Sequence, residues 1–225
     1  MKSTAFITLP ALALMALIMA PTSGAVNIAG NAGFETAGGG GATDADQWVE
    51  AGAQPSIRDS SNPFSGSFAQ KLEAIGTSQA GPNSVVLQNS IADAGQPSLQ
   101  ELTSLSASFQ WSSNYGPGGV GNASLRVLNG VGAIVGITNF ALPDTSGVYQ
   151  LVNSPSINVP AFGASPDDTY AAFLEISVAA GAFDGSSAVA YVDDVSIDGT
   201  LVPEPASLAL MGLGGLAMVA RRRRA

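Results

Sequence analysis

The body of this sequence, from Val26 to Val202, contains no cysteine, no histidine and no methionine, and all five methionines lie in the two terminal segments. Without cysteine, no disulfide can hold an exported chain together, so a hydrophobic core, alone or with a bound metal, has to supply its stability. Without histidine and cysteine, most transition-metal sites and histidine-based acid–base catalysis are excluded. A body of about 175 residues is long enough to bury such a core as one domain.

Basic residues are also scarce in the body. Only Arg58, Lys71 and Arg126 lie between Val26 and Val202, against sixteen acidic residues, which gives this segment a net charge of −13. Such a charge repels the phosphate backbone, so no nucleic-acid partner is expected. It can attract divalent cations instead.

Helical periodicity is the third absence. Short segments rich in β-branched and aromatic residues alternate with Gly, Ser, Asn and Pro, a pattern typical of strands and turns. Leu105, Phe109 and Trp111 alternate with polar residues, as in a strand with one buried face. The pattern predicts an all-β body, a single antiparallel β-sandwich or jelly roll. Strands are expected over residues 56–59, 67–74, 84–89, 103–112, 123–129, 133–138, 148–153, 170–179 and 188–198.

The N-terminus has the order of a secretory signal peptide. Met1 and Lys2 form a basic start, residues 5–19 are apolar, and small residues follow up to Ala25. Ser23 and Ala25 occupy the −3 and −1 positions of a cleavage site, so residues 1–25 are expected to leave after export by the Sec machinery. The alternative is an N-terminal membrane anchor, which the short apolar run and the cleavage site disfavour.

The C-terminus has three elements in a fixed order. Pro203, Glu204 and Pro205 form an extended peptide, because proline fixes φ and removes backbone donors. Residues 206–220 are apolar and would reach roughly 22 Å as a helix, which is short of the ~30 Å hydrocarbon core of a membrane. Four arginines follow, Arg221, Arg222, Arg223 and Arg224, and are expected to hold this end in the cytoplasm.

Residues 203–225 therefore resemble the PEP-CTERM sorting signal of Gram-negative bacteria, which exosortase reads. The resemblance implies an exported protein that is anchored transiently in the inner membrane by a hydrophobic helix. It also implies processing at the Pro203–Glu204–Pro205 motif and a final location at the cell surface or outside the cell.

Three segments of the body, residues 26–202, also form a pattern. They are Asn31–Glu35 followed by Trp48, Ser65–Leu72, and Tyr191–Ile197. In this order they resemble galactose-binding-like jelly rolls, in particular carbohydrate-binding modules of the family 4/9 and 22 type. The resemblance implies one structural calcium ion held by Glu35 and by Asp193 or Asp194.

Strict alternation along the last strand would place Asp193 on the face of Val195 and Ile197, with Asp194 on the other face. Asp193 would then be semi-buried and in need of a partner, which favours Asp193 as the calcium ligand. The alternative is that Asp193 pairs with one of the three basic residues of the body and that Asp194 is solvated.

Aromatic side chains are the expected platforms for sugar rings. Tyr115 follows the predicted strand in a Gly/Pro-rich turn and is the candidate for an exposed contact. Trp111 is a second candidate, although it lies on the same strand face as Phe109, which favours a position in the core. Trp48 is expected to pack in the core near Phe34.

These features predict a non-catalytic structural or adhesive component of an exopolysaccharide or biofilm matrix, with extracellular polysaccharide as its partner. The first alternative is a carbohydrate-binding module, and the second is an enzyme of polysaccharide processing. Enzymatic activity is not expected, because a glycosidase needs two carboxylates across a cleft and the acidic pairs of the body lie in polar, loop-like segments. The sequence has no G-x-S-x-G, zinc-binding or phosphate-loop motif.

Overall fold

The computed structural model describes residues 25–90, 99, 102–160 and 171–201. Within these residues the chain forms strands and no helix, so none of its described elements is a helix able to cross a membrane. The predicted signal peptide, the sorting segment and its apolar helix lie outside the described residues. The strands are β1 (Ala25–Asn27), β2 (Trp48–Gly52), β3 (Ile57–Asp59), β4 (Ala69–Ile75), β5 (Asn83–Ser90), β6 (Leu102–Tyr115), β7 (Val120–Leu128), β8 (Ile134–Leu142), β9 (Gln150–Asn153), β10 (Ile157–Asn158), β11 (Ala171–Ala179) and β12 (Ser187–Leu201).

The strands form two antiparallel sheets, which confirms the predicted β-sandwich. One sheet has seven strands, in the order β10-β6-β12-β4-β3, with β1 also pairing with β12 and β9 with β6. The other has five strands, in the order β2-β5-β11-β7-β8. All nine predicted strands are present. The prediction missed β1, β2 and β10, which have two to five residues and are too short to show alternation.

The core lies between the sheets and is built from strands that alternate. Leu105, Phe109 and Trp111 of β6 are fully buried, and so are Leu174 and Ile176 of β11. Each side chain of this kind contributes about 1.5–3 kcal/mol when it is buried completely. Core formation thus follows directly from the period-two pattern of the sequence.

A β-bulge in β12 interrupts the expected alternation. The pairing of β12 with β6 shifts between Asp193 and Ser196, and Asp194 has a φ of +46°. Because the bulge adds a residue, Val195 and Ile197 point into the core while Asp193 does not share their face. The face assignment from strict alternation is therefore wrong, although Asp193 is buried as expected.

The motif after β1 packs around two aromatic rings. The rings of Phe34 and Trp48 lie 4.8 Å apart between centroids, and both side chains are in the core. The Asn31 side chain donates to the carbonyls of Thr36 and Asp46, at 3.0 and 2.9 Å, and holds the loop closed. The predicted core position of Trp48 is confirmed.

Candidate functional site

The loop between β3 and β4, Ser60–Phe68, crosses the bulge of β12 and is held there by Asp193. One carboxylate oxygen of Asp193, Oδ2, accepts hydrogen bonds from the backbone N–H groups of Phe64 and Ser65, at 2.8 and 3.0 Å. Its other oxygen, Oδ1, accepts from the N–H of Asp194 at 2.8 Å. Burial raises the pKa of Asp193, and the three N–H donors oppose this rise. Three backbone N–H groups thus stabilise the negative charge of the Asp193 carboxylate.

Glu35 holds the other end of the same loop. Its Oε1 accepts from the N–H groups of Ser67 and Phe68, at 2.8 and 3.1 Å. Between the two attachment points lies Gly66, with a φ of +61°, where a Cβ would lie 2.1 Å from Glu35 Oε1. Glycine is needed there for both the backbone conformation and the close approach. Asp194, by contrast, is exposed and accepts a hydrogen bond from the Ser65 hydroxyl, at 2.8 Å.

The structure therefore brings Glu35, Asp193 and Asp194 to one loop, as the sequence predicts. Calcium takes six to eight oxygen ligands. The described residues contain no group of three or more acidic side chains arranged to hold a metal. The loop turns backbone N–H donors toward Glu35 and Asp193. Loop anchoring by hydrogen bonds is the role that these contacts support.

In the described part of the chain, no basic side chain pairs with Asp193, which was the alternative prediction. Lys71 pairs with Glu73 at 2.9 Å, and Arg126 pairs with Glu175 at 2.8 Å. Arg58 is buried and donates to three backbone carbonyls, and its guanidinium carbon lies 3.2 Å from the centre of the Phe68 ring. All three basic residues of the body are thus engaged away from Asp193.

Neither aromatic residue proposed for sugar contact lies in an exposed turn. Trp111 is fully buried and its indole N–H donates to the carbonyl of Pro143 at 3.0 Å, so the ring is closed to a sugar. Tyr115 is the last residue of β6, is half-buried and packs against the core. Burial raises the pKa of Tyr115 to about 12. Because the strand extends farther than predicted, Tyr115 belongs to the sandwich.

The outward face of the five-stranded sheet, hereafter the open face, carries a partly exposed aromatic ring next to an ion pair. Phe173 of β11 lies opposite Arg126 of β7 in the sheet register and is partly exposed. Arg126 donates to Glu175 at 2.8 Å and to the Ser124 hydroxyl at 2.8 Å, which fixes these side chains on the same face. The rest of the face carries small polar and aliphatic residues: Val49, Val85, Leu87, Asn122, Ile137, Asn139 and Ser177.

An aromatic ring beside an ion pair and amide groups can bind a sugar chain. The ring offers an apolar surface, and the fixed guanidinium and amides offer hydrogen bonds to hydroxyl groups. The sequence analysis missed these residues because it considered only the alternate residues of β11 that point into the core. The complementary parity, Phe173, Glu175 and Ser177, was the signal that pointed to the open face.

Solved structures that are similar to this chain include parts of two larger proteins. The enzymatically active domain of tailspike protein 4 of bacteriophage CBA120 is similar over 79% of this chain, at 16% identity and a TM-score of 0.49. An arabinose-bound α-L-arabinofuranosidase is similar over 80% of this chain, at 11% identity and a TM-score of 0.47. This chain spans 22% and 27% of those two chains, about a quarter of their length.

A xylan-binding module is similar to this chain over almost the whole length of the module. It is the first family 22 carbohydrate-binding module of a Paenibacillus barcinonensis protein, with 10% identity and a TM-score of 0.46. The similarity covers 80% of this chain and 99% of the module. No curated protein matches the sequence.

A family model matches the C-terminal segment. Residues 201–224 match the PEP-CTERM protein-sorting motif, and this confirms the resemblance seen in the sequence. Pro203, Glu204, Pro205 and the arginines from Arg221 to Arg224 all lie within the match. The chain therefore carries the sorting motif of exported, exosortase-processed proteins that are anchored transiently in a membrane.

Proposed function

We propose that this protein is a non-catalytic structural or adhesive component of an exopolysaccharide or biofilm matrix, and that it binds polysaccharide through the open face. The observation that carries the binding role is the arrangement of Phe173 beside the Arg126–Glu175 ion pair. The sorting motif supports a place of action outside the cell. The alternative is a carbohydrate-binding module, a protein whose only function is to bind a glycan.

The charge distribution of the open face supports binding without hydrolysis. Glycosidases use two carboxylates on either side of the scissile bond, one of them with a raised pKa. Among the described side chains of the open face, Glu175 is the one carboxylate, and it is paired with Arg126. Glu50 of β2 turns away from this face and accepts from Gln70 and from the N–H of Ala45.

Retention of the protein in gels that contain polysaccharide tests the binding proposal. Protein recovered from the surface of producing cells is expected to be retarded by matrix polysaccharide from the same cells. Phe173→Ala should weaken binding by about tenfold, since loss of a stacking ring costs on the order of 1–1.5 kcal/mol.

Phe183→Ala is the matched control. Phe183 is also partly exposed, but it lies in the loop between β11 and β12 and contacts Gly118 and Gly181. This variant should be retarded like the wild type. Equal weakening by both substitutions, or no effect of Phe173→Ala, would exclude the open face as the binding surface.

Export and processing are tested separately. Replacing Pro203, Glu204 and Pro205 with alanine should leave the protein in the inner membrane. Intact-mass measurement of the surface form should show loss of both terminal segments and would reveal any attached lipid or sugar. Continued release of mature protein from the triple variant would contradict processing at this motif.

A further inference from the structure

A cleft lies on the side of the sandwich opposite the open face, over the outward face of the seven-stranded sheet. Its volume is about 420 Å³. The floor is formed by β6 and β12, where Tyr191 lies opposite Ser112 and Val189 lies opposite Asn114. Asn62 of the β3–β4 loop forms one wall, and Ser187 lies at the far end. The distance from Tyr191 to Ser187 is four residues along a strand, about 13 Å.

The cleft offers polar side chains that the protein itself leaves unused. Within the described residues, the side chains of Asn114 and Ser187 line the cleft without a hydrogen-bond partner, whereas Ser112 is buried in its floor. Amide and hydroxyl groups of this kind both donate and accept, which matches the hydroxyl groups of a sugar. Tyr191 adds a partly buried aromatic ring, and its hydroxyl lies 3.1 Å from the Ser61 hydroxyl, which holds it in place.

The anchored β3–β4 loop gives the cleft a fixed wall. The Tyr149 hydroxyl donates to the carbonyl of Asn62 at 2.5 Å, and the rings of Tyr149 and Phe64 pack edge to face with centroids 5.3 Å apart. Asp193 holds the next part of the loop through Phe64 and Ser65. The wall is therefore pre-formed, so little conformational entropy is lost on binding.

The charge around the cleft indicates the class of ligand. No lining side chain is charged. The carboxylates Asp193 and Asp194 lie next to the wall. The pKa of Tyr149 is raised mainly by burial and, to a smaller extent, by these two negative charges. Uronate or sulfated chains would be repelled here, whereas a neutral glycan meets no such cost.

We propose that this cleft is a second glycan-binding site, specific for neutral sugars. The two binding surfaces lie on opposite faces of the sandwich, so one molecule can link two polysaccharide chains. The linking role rests on the proposed function of the open face, while binding in the cleft does not.

Affinity electrophoresis in gels that contain galactomannan, dextran or polygalacturonate tests the site, with turbidity of each mixture as the measure of cross-linking. The starting protein is the Phe173→Ala variant of the mature protein, in which the open face is weakened. It should still be retarded by at least one neutral glycan and not by polygalacturonate. Adding Asn114→Ala should weaken this binding about fivefold, the effect of one lost hydrogen bond, and adding Tyr191→Ala about tenfold.

Asn153→Ala is the matched control, because Asn153 is an exposed asparagine of the same sheet, on β9 and outside the cleft. It should leave binding unchanged. Asn114 is exposed and makes no side-chain hydrogen bond within the described residues, so Asn114→Ala should keep the melting temperature of its parent. Wild-type protein should make a neutral glycan turbid, and either Phe173→Ala or Asn114→Ala should reduce the turbidity.

The outcomes separate the two proposals. If wild-type protein binds but Phe173→Ala abolishes all binding, the cleft is not a glycan site and the open-face function stands. If Phe173→Ala protein binds and neither Asn114→Ala nor Tyr191→Ala weakens it, the cleft is also excluded. If wild-type protein binds none of these glycans or its own matrix polysaccharide, both proposals fail.

Discussion

Replacing Asp193 with asparagine should destabilise the protein by about 2–4 kcal/mol. The carboxylate is completely buried and accepts three backbone N–H groups, two on Oδ2 and one on Oδ1. Asparagine has the same shape but one acceptor oxygen, so its NH₂ group must face at least one of these donors. A buried donor left without an acceptor costs about 1–3 kcal/mol. The remaining hydrogen bonds also lose their charge assistance, which adds to the loss.

Asp194→Asn is the control, because it changes the neighbouring residue in the same way. Asp194 is exposed and accepts one hydroxyl, which asparagine can replace, so a cost below about 1 kcal/mol is expected. For a body of this size, the Asp193→Asn effect corresponds to a fall of roughly 5–12 °C in Tm. Urea unfolding and thermal melting of the mature protein measure both variants. Equal effects of the two substitutions would refute the assignment of Asp193 as the anchor of the loop.

Three further predictions follow from the same contacts. Chelation of calcium with EGTA should leave the Tm unchanged, because N–H donors already occupy the loop side of Glu35 and Asp193; a fall in Tm that added calcium reverses would show a structural ion instead. Gly66→Ala should destabilise the protein more than Gly132→Ala, since both glycines have a positive φ but only at Gly66 would the added Cβ meet a carboxylate; equal unfolding free energies would contradict the close approach to Glu35. Stability should fall as pH rises from about 10 to 12, because unfolded tyrosine ionises near 10 while Tyr115 keeps its proton to about 12, so the folded state holds more protons in this window. Tyr115→Phe should make that fall shallower in alkaline melts followed by absorbance, and an unchanged slope would speak against burial of the hydroxyl.

The strands and the core could be predicted because both depend on local alternation. From Leu105 to Trp111 in β6, and from Ala172 to Val178 in β11, every second residue is apolar. Only one face of each strand can therefore turn these residues into the core. The short strands β1 and β10 form because longer neighbours, β12 and β6, offer unpaired edges to them. Three or two residues carry too little pattern to reveal this pairing.

The bulge at Asp194 shows why the candidate site was harder to predict than the fold. Strict alternation placed Asp193 with Val195 and Ile197, and one extra residue separated them. A bulge depends on the pairing of two distant strands and on the loop that covers them. The sequence of β12 alone therefore does not predict it. Asp tolerates the left-handed conformation better than most residues, which makes Asp194 permissive for a bulge without specifying one.

The same bulge links the loop to both proposed surfaces. By turning Asp193 out of the core, it places a buried carboxylate where the N–H groups of Phe64 and Ser65 in the β3–β4 loop reach it. The anchored loop then forms a wall of the cleft through Asn62, while β12 continues beneath as part of its floor. The open face is made by the other sheet and does not depend on this device. Asp193→Asn should therefore impair the cleft before it affects the open face, so selective loss of neutral-glycan binding in the Phe173→Ala background is the expected sign of a displaced loop.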